Sequence, residues 1–154
     1  MFQGLNWMAE PTDKLGDYLI LERIAHGGMA HIYKAKTVDP NGIERLVVIK
    51  RILPHIAEDP EYVNMLIDEA KIAVNFTHGN IAQIYDLGRA GNDYFIVMEY
   101  VDGKTLGQSI REMRERKKIV PLEVIAYCMA ELCQALDYIH RNRGNDGKPL
   151  GVVH

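Results

Sequence analysis

Between Asp17 and Arg51 three alternating apolar stretches follow one another, with connections too short to hold a helix. Asp17–Ala25 (DYLILERIA), His31–Thr37 (HIYKAKT) and Ile43–Arg51 (IERLVVIKR) each read as a strand. The first connection centres on Gly27 and Gly28. The second is Asp39-Pro40-Asn41-Gly42, in which proline presets one dihedral and Asn-Gly accepts positive ones. Connections this short join antiparallel neighbours, because a parallel return needs a crossover of a dozen or more residues. The start of the chain is therefore an antiparallel meander.

The pattern then changes period. Val63, Leu66, Ile67, Ala70, Ala73 and Val74 fall at helical spacing and predict a helix from Pro60 to Phe76, with proline suited to its first turn. Ile81–Arg89 and Tyr94–Val101 predict two further strands around a turn at Gly91-Asn92-Asp93. A short helix over Leu106–Lys117 follows. A long one runs from Pro121 to about Arg141, with Glu123 in its first turn, arginines at its end and Gly144 as the stop. The whole is an α+β fold. The long helix carries Leu122, Ile125, Met129, Leu132, Leu136 and Ile139 with only a narrow polar strip, so it is patterned for burial over most of its surface. Little chain follows it, and exposed apolar surface with self-association is the expected consequence.

Composition excludes several classes. Of 154 residues, 47% are hydrophobic and 25% charged, with a net charge of −3, which offers no electrostatic footprint for nucleic acid. The one basic cluster, Arg111–Lys118, is interrupted by Glu112 and Glu115 and reads as a solvated face. Cys128 and Cys133 share one helix but point apart, which disfavours a disulfide and fits a reduced, cytoplasmic setting. Residues 1–16 read as a loose leader without the features of a signal peptide, and no run reaches the roughly 20 apolar residues of a membrane span.

Two charged residues stand out. Lys50 ends the apolar run of the third strand, on the face of Val48 and Leu46, where an ammonium calls for an anion; snorkelling to water is the alternative. Glu69 sits beside the apolar stripe of the next helix, where a carboxylate needs a partner. A helix folded back on the preceding strand would bring the two together. Pairing of Glu69 with Lys71 or Arg51 is the alternative. The two glycines at residues 27 and 28 fit either a hairpin turn or a loop that closes over a phosphate. His26 and His31 flank them without a carboxylate or cysteine cluster, so no metal site is assigned.

Taken together, these positions resemble the start of a eukaryotic-like Ser/Thr protein kinase domain of the kind bacteria also carry. The likeness runs from about Asp17 to His154. The family's glycine loop falls on Ala25, His26, Gly27, Gly28, Met29, Ala30, His31 and Ile32, with alanine at two of its three glycine positions. Its V-A-I-K falls on Val47, Val48, Ile49 and Lys50, and its paired helix glutamate on Glu69. The H-P-N-I segment appears as His78-Gly79-Asn80-Ile81. Met98 takes the gatekeeper position, Glu99–Val101 the hinge, and His154 the first residue of H-R-D.

The resemblance implies a small lobe with a five-stranded antiparallel sheet and one helix over residues 17–101, then the start of a large lobe over 102–154. It implies that loop amides approach the ATP phosphates, that Lys50, held by Glu69, neutralises them, and that Ile24, Ile32, Val48 and Met98 enclose adenine. Backbone groups near Glu99 and Val101 would meet the adenine edge. Mg2+ ligands, the catalytic aspartate and the activation loop would lie beyond His154, so the chain by itself would be inactive. Its partners would be ATP and an unidentified protein substrate, with no nucleic acid and no membrane segment. The alternatives are a pseudokinase-like nucleotide-binding or docking module, favoured by Ala25 and Ala30, and an unrelated α+β interaction domain.

Overall fold

The computed structural model describes residues 14–143, 147, 150 and 151. The stop expected at Gly144 and the H-R-D match at His154 lie outside them, as do residues 1–13 of the leader. Two compact units are present. Of the described residues, one comprises 14–75 together with Gln83–Tyr100; the other comprises Phe76–Ala82 and those from Val101 on.

The first unit is built on six antiparallel strands: β1 (Lys14–Leu15), β2 (Tyr18–His26), β3 (Ala30–Val38), β4 (Glu44–Ile52), β5 (Ile84–Ala90) and β6 (Asp93–Glu99). Their order across the sheet is β1-β2-β3-β4-β6-β5. The sixth strand corrects the five-stranded expectation and shortens the leader. Lys14 and Leu15 pair with Leu19 and Tyr18, and Leu15 is buried in the core. Two residues carry no readable periodicity, so only the docking of Leu15 could reveal them. At the β3–β4 turn the Asp39 carboxylate accepts from the amides of Asn41 and Ile43, both at 2.8 Å, and Gly42 takes φ 83°.

Alternation sorts the sheet into two faces. Leu15, Ile20, Ala35, Val47, Ile49, Phe95 and Val97 form one cluster. Ala30, Ile52 and Ile96 form the other with Leu66 and Ala70, which come from helix α2 (Pro60–Ala73). A one-turn helix α1 (Pro54–Ala57), unforeseen from the sequence, precedes it. Asp59 caps α2 by accepting from the amides of Glu61 and Tyr62. The helix ends earlier than periodicity predicts. Asn75 Nδ2 donates to the carbonyl of Lys71 at 2.8 Å and Gln83 Nε2 to that of Val74 at 3.1 Å, so side chains satisfy the last turn.

The second unit holds α3 (Leu106–Glu115) and α4 (Leu122–Arg141). Thr105 and Gln108 form a reciprocal capping box at the start of α3. Lys104, foremost, and Arg116 hold the Glu112 carboxyl below the usual carboxylate range. At the other end Lys117 adopts φ 52°. Its amide donates to Arg114 O at 3.0 Å, and the Lys118 amide to Met113 O at 2.8 Å. This is a Schellman stop with lysine in the left-handed position that glycine occupies without strain. Lys117→Gly is expected to stabilise the chain by about 0.5–1 kcal/mol in urea denaturation.

Phe76–Ala82 lies along α4. Thr77 N donates to the Tyr138 hydroxyl at 3.1 Å, and Asn80 Nδ2 to Glu131 Oε2 at 2.6 Å. Phe76 stacks edge-on against Tyr138. This explains why Ile81–Gln83 is not part of a strand, contrary to expectation. Most of α4 is exposed, including Leu122, Ile125, Met129 and Leu132, and of its residues only Ala135 is buried. The chain is expected to bind an apolar-surface dye and to self-associate with rising concentration, readable by light scattering. Cys128 and Cys133 are free thiols on its exposed surface. Among the described residues no helix is long and apolar enough to cross a membrane.

Candidate functional site

The β2–β3 connection is a tight loop closed by the Gly27 amide, which donates to Ala30 O at 2.9 Å. Neither Gly27 nor Gly28 takes a positive φ. A Cβ at Gly28 would meet nothing within 4 Å, and one at Gly27 only the Ala30 carbonyl at 3.7 Å. Neither the backbone conformation nor internal packing therefore demands glycine at these two positions. What their lack of a side chain leaves is an open approach to the main chain. Ala25 is exposed beside the loop, whereas Ala30 is buried against Ile52, Leu66 and Ala70. The methyl that departs from the glycine pattern at residue 30 thus serves the core.

Lys50 stands in β4 between Ile32 on β3 and Ile96 on β6, on the face that packs against α2. It is half-buried, and its ammonium has no hydrogen bond or ion pair among the described residues. Glu69 is exposed on α2 and is likewise unpaired. The expected Lys50–Glu69 ion pair is not formed. The alternative partners are engaged elsewhere: Arg51 binds Asp93 at 2.7 Å and Lys71 binds Asp68 at 3.2 Å. The spacing of Glu69 places it with Met65, and both face outward. A lysine left half-buried without a counter-charge is the most chemically distinctive group in this unit.

The apolar residues assigned to an adenine pocket have mixed surroundings. Val48 is buried and aligned across the ladder with Lys34 and Met98. Ile32 and Met98 are half-buried against the α2-facing cluster. Ile24 lies at a β-bulge in β2 and is exposed at 47%. Val101 is exposed and belongs to the second unit. Glu99 is tied down: its amide donates to Gln83 O at 2.8 Å, and its carboxylate accepts from the Gln83 amide at 3.1 Å. The Glu99 N–H is therefore already used. Sequence reading missed this Gln83–Glu99 clasp, since nothing local marks Gln83, which lies just before β5, as a partner of a residue at the end of β6.

His26 and His31 face each other across the ladder on the opposite side of the sheet from Lys50. Partial burial first, then the charges of Arg23, His26 and Arg51, lower the His31 pKa from its ordinary 6.5. Below the unfolded value the folded state binds fewer protons, so the stability His31 contributes is present above that value and declines as pH falls. An NMR titration should give His31 a midpoint below 6.5, and His31→Gln should flatten the acid limb of the stability curve. Among the described residues no group of three or more His, Cys, Asp and Glu is arranged to hold a metal.

An antiparallel sheet with α2 packed on one face, a glycine loop between its first two long strands and a lysine on the third define the small lobe of a kinase-type fold. The family profile described as "Protein kinase domain" matches residues 18–154, and the chain belongs to that family. It is 40% identical over 139 residues to the tyrosine-protein kinase MasK of Myxococcus xanthus, covering 90% of this chain and 22% of that protein. It is 36% identical over 140 residues to the serine/threonine-protein kinase PrkC of Bacillus subtilis, covering 90% and 20%. The chain thus spans about a fifth of the length of these relatives. The crystal structure of the Mycobacterium tuberculosis PknI kinase domain superposes with a TM-score of 0.68 at 23% identity, over 86% of this chain and 52% of that one, which establishes the fold.

Proposed function

We propose that this chain is the ATP-binding portion of a protein kinase that transfers the ATP γ-phosphoryl group to Ser or Thr hydroxyls of a protein. The observation that carries this is Lys50: half-buried, unpartnered, on a sheet face that continues to the glycine loop. An ammonium there is ready for the α- and β-phosphates. With the Gly27 amide held by Ala30 O, the Gly28 amide at the tip can approach phosphate oxygens without side-chain obstruction. Val48, Ile32, Ile24 and Met98 offer apolar surface to the adenine ring, with the main-chain carbonyl of Glu99 at its edge. Mg2+ supplies charge neutralisation at the phosphates when bound, and the family places its ligands after His154. Ser/Thr preference fits PrkC, whereas MasK is described as a tyrosine kinase. A reaction in the cytoplasm fits both ATP use and free thiols.

Glu69 enters this reading through movement of α2. A kinase of this family needs its lysine–glutamate ion pair for turnover. The separation of Lys50 and Glu69 therefore corresponds to a resting arrangement from which α2 must turn. The second reading, a docking module that binds nucleotide without turnover, is favoured by the same unpaired glutamate and by Ala25. Thermal denaturation with and without ATP tests the shared premise. At about 100 times Kd, ATP is expected to add about 2.7 kcal/mol to the stability of the unit that binds it. No shift at millimolar ATP would sink both nucleotide readings. Phosphate transfer to a protein substrate by the full-length product of the gene separates the two.

A further inference from the structure

The tip of the β2–β3 loop is tied to α2 by a contact that phosphate binding does not require. The Tyr62 hydroxyl donates to Met29 Sδ at 3.2 Å, joining residues 33 positions apart in sequence. The Met29 carbonyl accepts from the Leu53 amide at 3.0 Å, so the residue is held through both main chain and side chain. Met29 is nevertheless 57% exposed, so apolar burial does not account for its position. Tyr62 is itself fixed. Its amide is capped by Asp59 at the start of α2, and its ring packs against the cluster of Ala30, Ile52, Leu66 and Ala70. Ala30, the residue after Met29, is buried in that same cluster. One side of the loop is thus anchored, while the Gly27–Gly28 side remains open.

We propose that Tyr62 is a positioning residue for the nucleotide phosphates, acting through Met29 to hold the loop tip against α2 before nucleotide arrives. This rests on the assignment of Gly27–Gly28 as the phosphate-facing segment. A loop already ordered loses less conformational freedom when phosphate binds, and the saving appears as affinity. The link also couples two parts of the site. Tyr62 lies on the same helix as Glu69, so a displacement of α2 shifts the loop tip together with the carboxylate destined for Lys50.

The test uses the whole chain with three variants: Tyr62→Phe, which removes only the hydroxyl; Met29→Leu, which removes only the acceptor; and the pair. Amide hydrogen exchange at Gly27–Ala30 is read without nucleotide, and titration calorimetry is run with ATP and with adenosine. Each single variant is expected to speed loop exchange and weaken ATP about two- to five-fold, the upper figure being the size of one ordinary hydrogen bond and the thioether a weak acceptor. Adenosine, which has no phosphate, should bind each variant as it binds the wild type. The pair should be no weaker than either single, because both remove the same bond. A merely structural tyrosine would lower melting temperature without separating ATP from adenosine. Wild-type loop exchange in both single variants, or ATP losses that multiply in the pair, would overturn the proposal. If the wild type binds ATP and the variants match it, the positioning role fails while the nucleotide site stands. If the wild type binds neither ligand, the phosphate assignment fails and the positioning role fails with it, whatever the exchange shows.

Discussion

Lys50→Met is expected to cut the ATP-dependent rise in melting temperature to about half or less, while leaving the nucleotide-free chain as stable as before, or slightly more so. The two halves of this result have different causes. The Lys50 ammonium makes no ion pair or hydrogen bond among the described residues, so no side-chain interaction of that kind is lost. Methionine has a similar length, adapts to irregular space, and replaces a half-buried charge with an apolar end beside Ile32 and Ile96. The bound state, in contrast, loses charge-assisted contacts to phosphate, worth about 1.5–3 kcal/mol, or roughly a 10- to 150-fold loss of affinity. Calorimetric titration and thermal denaturation of both proteins read this directly. A variant that keeps the wild-type ATP shift would show that phosphate binds elsewhere. A variant that loses nucleotide-free stability would show that Lys50 has a structural role.

Gly88→Ala should unsettle the first unit by roughly 3 kcal/mol or more, far beyond the usual cost of adding one methyl group. Gly88 lies on the edge strand β5, directly across the ladder from Phe95 on β6. A Cβ there would stand 2.2 Å from Phe95 Cζ and 2.4 Å from Cε2. The ring covers the glycine, an arrangement in which an aromatic side chain fills the space that the edge residue leaves. Phe95 has little room to retreat. It is 3% exposed, meets Tyr18 edge-on at 6.1 Å, and belongs to the cluster of Leu15, Val47, Ile49 and Val97. A loss of this size is a substantial part of the 5–15 kcal/mol that holds an ordinary domain. Urea denaturation measures it. Combining Gly88→Ala with Phe95→Leu should recover part of the loss, because the clash is specific to the ring. Stability within 0.5 kcal/mol of wild type would show that the sheet relaxes around the methyl at little cost.

These two residues differ in what sequence alone can say about them. Lys50 announces itself, since an ammonium at the end of Val47-Val48-Ile49 breaks the alternation of a buried strand. Gly88 does not, because a glycine within Ile84–Ala90 signals only a weak strand or a bulge, and its reason lies on another strand. The same division runs through the fold. The long strands, α2, α3 and α4 follow from periodicity, prolines and caps, all of which act within a few residues. The resemblance to the kinase domain added the division into a small lobe and the start of a large one, and the reading of Gly27–Gly28 as a loop over phosphate.

What the amino-acid sequence determined by itself was therefore local: the meander, the helices, the open glycines at 27 and 28, and the lysine at the end of the third predicted strand. The tertiary structure decided everything that depends on distant partners. Leu15 joins the sheet because Tyr18 and the core receive it. Phe76–Ala82 leaves the strand pattern because Tyr138 and Glu131 bind it. Met29 is tied to Tyr62, and Glu69 stands apart from Lys50 although the sequence supplies both. Periodicity fixes which side of an element faces the core, but not how a helix is turned or which remote group its side chains meet. Those choices depend on packing against the rest of the chain, where differences of a few kcal/mol select one arrangement over another.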